Sequence, residues 1–231
     1  MDRGEGARAA HVVIAIDGPS GSGKSSAARG VARRLGLRYL DTGSMYRALT
    51  WWMLREGVPV DDPEKVGARC HEPRLDVATD PRAPRIAIDG VDVSRPVRSR
   101  EVTNAVSAVA SVPAVRSRLI ELQRQLIGDG GIVVEGRDIG TVVAPNADVK
   151  VYLTADPAER ARRRAAEGLA GMRIEVGLAQ TELVRRDRLD SNQLAMADDA
   201  VLLDTTKLDL EEVIDRIEQL ANERINLSGA R

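Results

Sequence analysis

The sequence contains no phenylalanine and few aromatic residues of any kind, with two tryptophans and three tyrosines in 231 residues. Leu, Val, Ile and Ala must therefore do most of the packing, and hydrophobic residues at 43% supply enough of them for a real core. So few aromatics also leave little on which to stack the bases of a nucleic acid. A basic excess is equally missing: 34 Lys and Arg stand against 35 Asp and Glu, a formal net charge of −1. Proteins that mainly grip DNA or RNA carry such a surplus, so no nucleic-acid partner is expected and any anion site must be local. The single cysteine, Cys70, excludes an internal disulfide and fits a reducing compartment. His11 and His71 are isolated, with no Cys, Asp or Glu at ligand spacing, so no structural metal site is expected. Long apolar runs are absent as well. His11–Ile16 and Leu49–Leu54 fall far short of a membrane span, and Met1–Ala10 lacks the apolar stretch of a secretory signal. The expectation is a soluble cytoplasmic protein with no membrane contact and a short flexible N-terminus over residues 1–10.

What is present reads as strands alternating with helices. His11–Asp17 is a continuous apolar run of the kind found in buried parallel strands. A glycine-rich turn follows, then a helix over 24–35 whose apolar face is Ala27, Ala28, Val31, Ala32 and Leu35, ended by Gly36. Further strands are expected at 37–40, 132–135, 149–153 and 201–203. Further helices are expected at 43–56, about 102–109, from Pro113, at 157–167, at 178–189, and after a capping box of Asp209 with Glu212. Gly168–Gly177 reads as a loop. Between 58 and 99 the character changes: prolines are frequent, helical period is absent, and two alternating stretches flank Asp89-Gly90, a hairpin turn signal. The fold class is thus α/β, a three-layer α/β/α arrangement on a five-stranded parallel sheet. The core covers 11–57 and 100–231, and a small antiparallel β unit is inserted over 58–99.

The chemistry starts at Gly18-Pro19-Ser20-Gly21-Ser22-Gly23-Lys24-Ser25, which follows a strand and opens a helix. Glycines let backbone wrap round phosphate oxygens, successive N–H groups form an anion nest, and the helix dipole adds to it. Lys24 can reach the β- and γ-phosphates, and the Ser25 hydroxyl can ligate Mg²⁺. The segment Asn-Lys-x-Asp of guanine-reading GTPases is absent, and 231 residues suit a small-molecule kinase better than a motor ATPase. Such a kinase needs arginines round the acceptor phosphate. Candidates stand in Asp41-Thr42-Gly43-Ser44-Met45-Tyr46-Arg47, in Glu135-Gly136-Arg137-Asp138, on the helix bearing Arg160, Arg162, Arg163 and Arg164, and around Arg185-Arg186-Asp187 with Asp190. Each segment taken alone could be a helix N-cap, a plain turn, a solvated helix face or a surface ion pair.

These strings resemble the bacterial cytidylate kinase family from His11 to nearly the C-terminus. The likeness is carried by the phosphate loop through Ser26, Leu40–Arg47, Val102–Ser107, Pro113–Arg116, Arg185–Asp187 and, most particularly, Glu135–Val143. The resemblance implies a P-loop kinase fold and Mg²⁺-dependent transfer of the ATP γ-phosphoryl group to CMP or dCMP, by a monomer. It implies that Gly18 to Ser26 hold ATP, with Lys24 as charge stabiliser. It implies that Thr42, Arg47, Arg137 and Arg186 surround the acceptor phosphate, with Lys24, Arg137 and Arg186 as the catalytic set. Ser107, Arg116 and Asp138 would read cytosine and Asp190 the sugar. The 58–99 insertion would help to recognise the monophosphate. A lid over 160–177 would bring Arg160 and Arg164 to ATP. The chain departs from the family after Asp190, where Asn192 and Gln193 stand near the position of a further arginine, so the resemblance does not supply that phosphate contact, which another arginine could provide or whose loss would lower acceptor affinity.

Overall fold

The computed structural model describes residues 11–167 and 175–227. The expected flexible segment 1–10 and the middle of the expected lid, 168–174, lie outside the described residues. Five parallel strands form the main sheet: β1 (Val13–Asp17), β2 (Arg38–Asp41), β6 (Ile132–Glu135), β7 (Val149–Thr154) and β8 (Val201–Asp204), in the order β2-β6-β1-β7-β8. The β1 strand is central, pairing Ile16 with Glu135 on one side and Asp17 with Tyr152 on the other. All strand carboxyl ends therefore meet along one edge, the edge where open α/β sheets bind ligands.

Helices cover both faces. On one side α1 (Lys24–Leu35) and α8 (Leu210–Leu227) bury Ala28, Val31 and Ile217 against Ile14, Ile16 and Val133. On the other side α2 (Thr42–Arg55), α4 (Arg100–Ser111) and α5 (Pro113–Ile127) bury Met45, Val109 and Leu119 against Leu40 and Val134. Two separate apolar clusters, one per sheet face, make the three-layer α/β/α architecture expected from the alternation of elements. The capping box forms as the sequence predicts: Asp209 and Glu212 each accept the other's backbone N–H at 2.9 Å. Helix α7 (Val176–Leu189) packs against α6 (Pro157–Glu167), and no helix among the described residues is long and apolar enough to cross a membrane.

The region between α2 and α4 carries a second, antiparallel sheet of β3 (Leu75–Ala78), β4 (Arg85–Ile88) and β5 (Val91–Asp92). Asp89 and Gly90 turn β4 into β5 with φ of 49° and 77°, the two positive angles of a type I′ hairpin. The Asp89 carboxylate also accepts the Trp52 indole N–H at 3.0 Å, tying this unit to α2. Two expectations need correction. The stretch taken to lack helical period contains helix α3 (Pro63–Arg69), capped by Asp62, whose side chain accepts the Lys65 N–H at 3.2 Å. It buries only Val66, so a seven-residue helix leaves no apolar period to detect. The loop expected through Gly177 ends earlier, because Val176 and Gly177 already belong to α7.

Candidate active site

The phosphate loop joins β1 to α1. Gly18 has φ of 143°, and a Cβ there would stand 2.1 Å from the Leu153 carbonyl oxygen, so only glycine lets the chain turn beneath β7. Helix α1 begins with no acidic residue in its first turn and no side-chain cap. Its first N–H groups and the positive dipole end are thus left to an anion. Lys24 is buried and its ammonium donates to the Pro19 carbonyl at 2.7 Å. Burial first, and then the nearby Arg137 cation, push its pKa well below the ordinary lysine range. The Ser22 hydroxyl donates to Pro19 O at 3.0 Å, and Thr205 reaches Ser22 O at 3.2 Å, closing the loop from behind. Ser25 and Ser26 face solvent at the mouth.

Around this loop the strand ends deliver the arginines. Arg137, just past β6, donates to Gly18 O at 3.2 Å and to Asp190 Oδ2 at 3.3 Å. Arg186, on α7, donates to Ser20 Oγ at 3.3 Å. Arg160, on α6, reaches Ser20 O at 3.1 Å and Asp187 Oδ2 at 2.6 Å. Arg47, on α2, holds Val97 O and Thr103 Oγ1, both at 3.0 Å. Burial, followed by repulsion from Arg186 and Arg164, disfavours the charge of Arg47; burial, followed by Arg137, disfavours that of Arg186. Elements far apart in sequence thus converge four guanidinium groups, those of Arg47, Arg137, Arg164 and Arg186, on one place at electrostatic cost. An anion entering there relieves that repulsion.

The residues expected to read the base and the sugar fall into two groups. Ser107 donates to Asp190 Oδ1 at 3.0 Å, so Ser107, Asp190 and Arg137 form one hydrogen-bonded chain. Arg116 is bonded to Asp138 and the two line a cavity of about 370 Å³ with Thr141, Val142, Leu189 and Gln193. Ser107 does not line that cavity. Thr42 is buried, with its hydroxyl donating to Glu135 O at 2.7 Å, while Asp41 caps α2 by accepting the Ser44 N–H at 2.9 Å. After Asp190 a short 3₁₀ turn, Ser191–Gln193, carries Gln193 to the cavity.

Two carboxylates went without a role in the sequence reading. Glu135 ends β6 between Asp41 of β2 and Ile16 of β1 and is buried beside the loop. Burial and then the Asp41 charge raise its pKa, against Lys24, the Ser25 hydroxyl and Tyr39, which favour the anion. Asp17 ends β1. Its two oxygens accept the N–H groups of Ile139 and Gly140 at 2.8 and 2.7 Å, where a π-helical turn begins. Burial raises its pKa, offset in part by those two hydrogen bonds. The available signal was positional: each is the last residue of an apolar strand at the carboxyl edge.

Among the described residues no group of three or more His, Cys, Asp or Glu could hold a metal ion unaided. A cation at this mouth would take most of its ligands from phosphate oxygens and water, as Mg²⁺ does in nucleotide sites.

The family model described as cytidylate kinase matches residues 14–223. A cytidylate kinase of Streptomyces avermitilis is 49% identical over 97% of this chain and 98% of its own length. One of Geobacillus sp. is 44% identical over 93% of this chain and 98% of its own, and one of Mycobacterium avium 48% identical over 93% and 97%. Among solved structures, an uncharacterized protein from Eubacterium ventriosum superposes with a TM-score of 0.53 at 14% identity, over 92% of this chain and 99% of that one.

Proposed function

Because the chain belongs to the cytidylate kinase family, we infer that its cleft transfers the γ-phosphoryl group of ATP to CMP or dCMP, giving ADP and CDP or dCDP. The observation that supports this best is that Arg137 and Arg186 reach the phosphate loop and its buried Lys24, with Arg47 and Arg164 near enough to Arg186 to repel it. Phosphoryl transfer is mainly positioning plus neutralisation of charge on the equatorial oxygens. The loop from Gly18 to Ser26 holds the donor phosphates. Lys24, Arg137 and Arg186 would serve as the catalytic cations between donor and acceptor, with Arg47 and Thr42 on the acceptor side. The acceptor is already an anion, so no strong general base is needed. The Arg116–Asp138 pair in the adjoining cavity supplies a guanidinium donor and a carboxylate acceptor. Cytosine offers ring acceptors beside an exocyclic amine, which match that pair.

Mg²⁺ fits the mouth: the exposed Ser25 hydroxyl would be its protein ligand, with Glu135 close by, and the ion would supply positive charge against the phosphates. Arg160 and Arg164 on α6 belong to the lid that closes over ATP and excludes water. The 58–99 unit flanks the acceptor side through α2. The lone buried thiol of Cys70 suits the cytoplasm, and the family resemblance implies a monomer. The test is ADP release from Mg²⁺·ATP with CMP, dCMP, UMP, AMP, GMP and shikimate as acceptors. CMP and dCMP should turn over fastest, and a preference for any purine acceptor, or for shikimate, overturns the reading.

A further inference from the structure

A buried phenol stands behind the phosphate loop, and neither the reaction nor the motifs account for it. Tyr39, on β2, is only 2% exposed, and its ring packs in the apolar cluster with Ala27 and Ala28 of α1. Its hydroxyl donates to Glu135 Oε1 at 2.6 Å, the length of a charge-assisted O–H···O⁻ bond. The strand register explains how they meet. Asp41 sits opposite Glu135 and Tyr39 opposite Val133, so Tyr39 and Glu135 project on the same sheet face, the one covered by α1. A glutamate carboxylate turns almost freely about its last torsion. Here the phenol fixes one oxygen, and the carboxylate also faces the Ser25 hydroxyl and the Lys24 ammonium.

We propose that Tyr39 is a positioning residue for phosphoryl transfer: its hydroxyl holds the Glu135 carboxylate in the orientation that sets the Ser25 hydroxyl and the Lys24 ammonium against the nucleotide phosphates. It touches neither substrate nor the reacting atoms. Burial, and then the Glu135 charge, keep the phenol protonated across the physiological range, so it acts only as a donor. A merely structural tyrosine would serve through its ring. The proposed role requires the hydroxyl, and these two contributions separate in Tyr39→Phe, which keeps the ring.

The inference rests on the kinase reading above, and the experiment distinguishes the two. Tyr39→Phe should lower kcat about tenfold, the worth of one hydrogen bond to a charged group. The KM for CMP should stay within about twofold, because the acceptor side is untouched. Equilibrium binding of ADP, followed by calorimetry with and without Mg²⁺, should lose part of the gain that Mg²⁺ gives the native chain. In a Glu135→Ala background the same Tyr39→Phe change should have no further effect on either quantity, since the phenol then has nothing to hold. Native kcat and Mg²⁺ dependence in Tyr39→Phe would overturn the proposal. So would an undiminished effect in the Glu135→Ala background, or a fall in melting temperature with kcat unchanged. If the native chain proved inactive on CMP, the kinase reading would fall, while the ADP binding measurement would still decide the role of Tyr39.

Discussion

Arg137 and Asp190 satisfy each other: Arg137 Nε lies 3.3 Å from Asp190 Oδ2, and Asp190 Oδ1 takes the Ser107 hydroxyl at 3.0 Å. The guanidinium proposed for the acceptor phosphate and the carboxylate proposed for its sugar thus form one ion pair. The carboxylate partly neutralises a cation that otherwise faces Lys24 and Arg186.

Removing that carboxylate should therefore cost more in the free protein than in the complex. Asp190→Ala removes the ion-pair partner of Arg137. The side chains are 19% and 12% exposed, so the cost is reduced by solvent to about 1–3 kcal/mol, below that of a fully buried pair. Saturating CMP brings a phosphate that takes over the role. The melting temperature should fall clearly without CMP and recover in part with it. An equal fall in both conditions would show that the pair carries no such compensation.

Lys24 is held where its charge is disfavoured, which makes it a stability cost retained for function. Lys24→Met keeps the stem and discards the ammonium. Turnover should drop by at least about 10²–10³-fold, the scale for removing one transition-state charge contact. The melting temperature of the free protein should hold or rise. Near-native kcat would remove Lys24 from the mechanism and weaken the phosphate-loop assignment with it.

The lowered Lys24 pKa also couples nucleotide binding to protons. Between its lowered value and the ordinary lysine value of about 10.4 the folded protein holds the amine partly neutral. A triphosphate favours the charged form, so binding takes up a proton and affinity falls as pH rises through that window. The contribution to folding has the opposite sign. There the unfolded chain binds more protons than the folded one, so the Lys24 share of stability grows with pH. Calorimetry of ADP binding at about pH 8.5, above the ordinary carboxylate range, in two buffers of different ionisation heat should report net proton uptake. Zero uptake, or release, would contradict the depressed lysine.

Much of this was legible in the residues. Val12 to Ile16, the loop after them and the apolar face of α1 announce strand, turn and helix because burial on both sheet faces demands continuous hydrophobicity. Helix α3 was not legible, because a short helix with one buried residue is defined by its Asp62 cap and Pro63 rather than by period. The arginines could be found but their pairing could not. Asp190 and Arg137 are 53 residues apart, and only the fold decides that each commits to the other before a substrate arrives. Glu135 is visible in the sequence only as the last residue of the expected strand 132–135. Its link to Tyr39 depends on the β2–β6 register, which no local pattern encodes.

Base selectivity should reside in Asp138, which is bonded to Arg116 at the cavity wall. A carboxylate can accept from the cytosine amine, a donor that uracil lacks. Asp138→Ala should lower kcat/KM for CMP by about 10–100-fold, matching about 1–3 kcal/mol for one base-edge contact. UMP should change by only a few-fold, and the KM for ATP by less than about twofold. Parallel losses for CMP and UMP would move the reading of the base to other residues.

Gly136 tests whether the strand-end turn tolerates any slack. A Cβ at Gly136 would stand 2.6 Å from both Thr42 Oγ1 and Ile139 Cδ1. Neither neighbour has room to recede: Thr42 Oγ1 is hydrogen-bonded to Glu135 O, and the Ile139 side chain is buried in the apolar core. Gly136→Ala should destabilise by about 1–3 kcal/mol through overpacking. Because Arg137 is the next residue, it should also lower kcat by more than the stability loss explains at assay temperature. Gly177→Ala is the matched control. It lies in α7 with nothing within 4 Å of a built Cβ, and there alanine should be neutral or gain up to about 1 kcal/mol from helix propensity. Thermal melts and initial rates of the two variants separate the outcomes. A Gly136→Ala protein as stable and active as the Gly177→Ala control would mean that Thr42 and Ile139 are less tightly held than their hydrogen bond and burial imply.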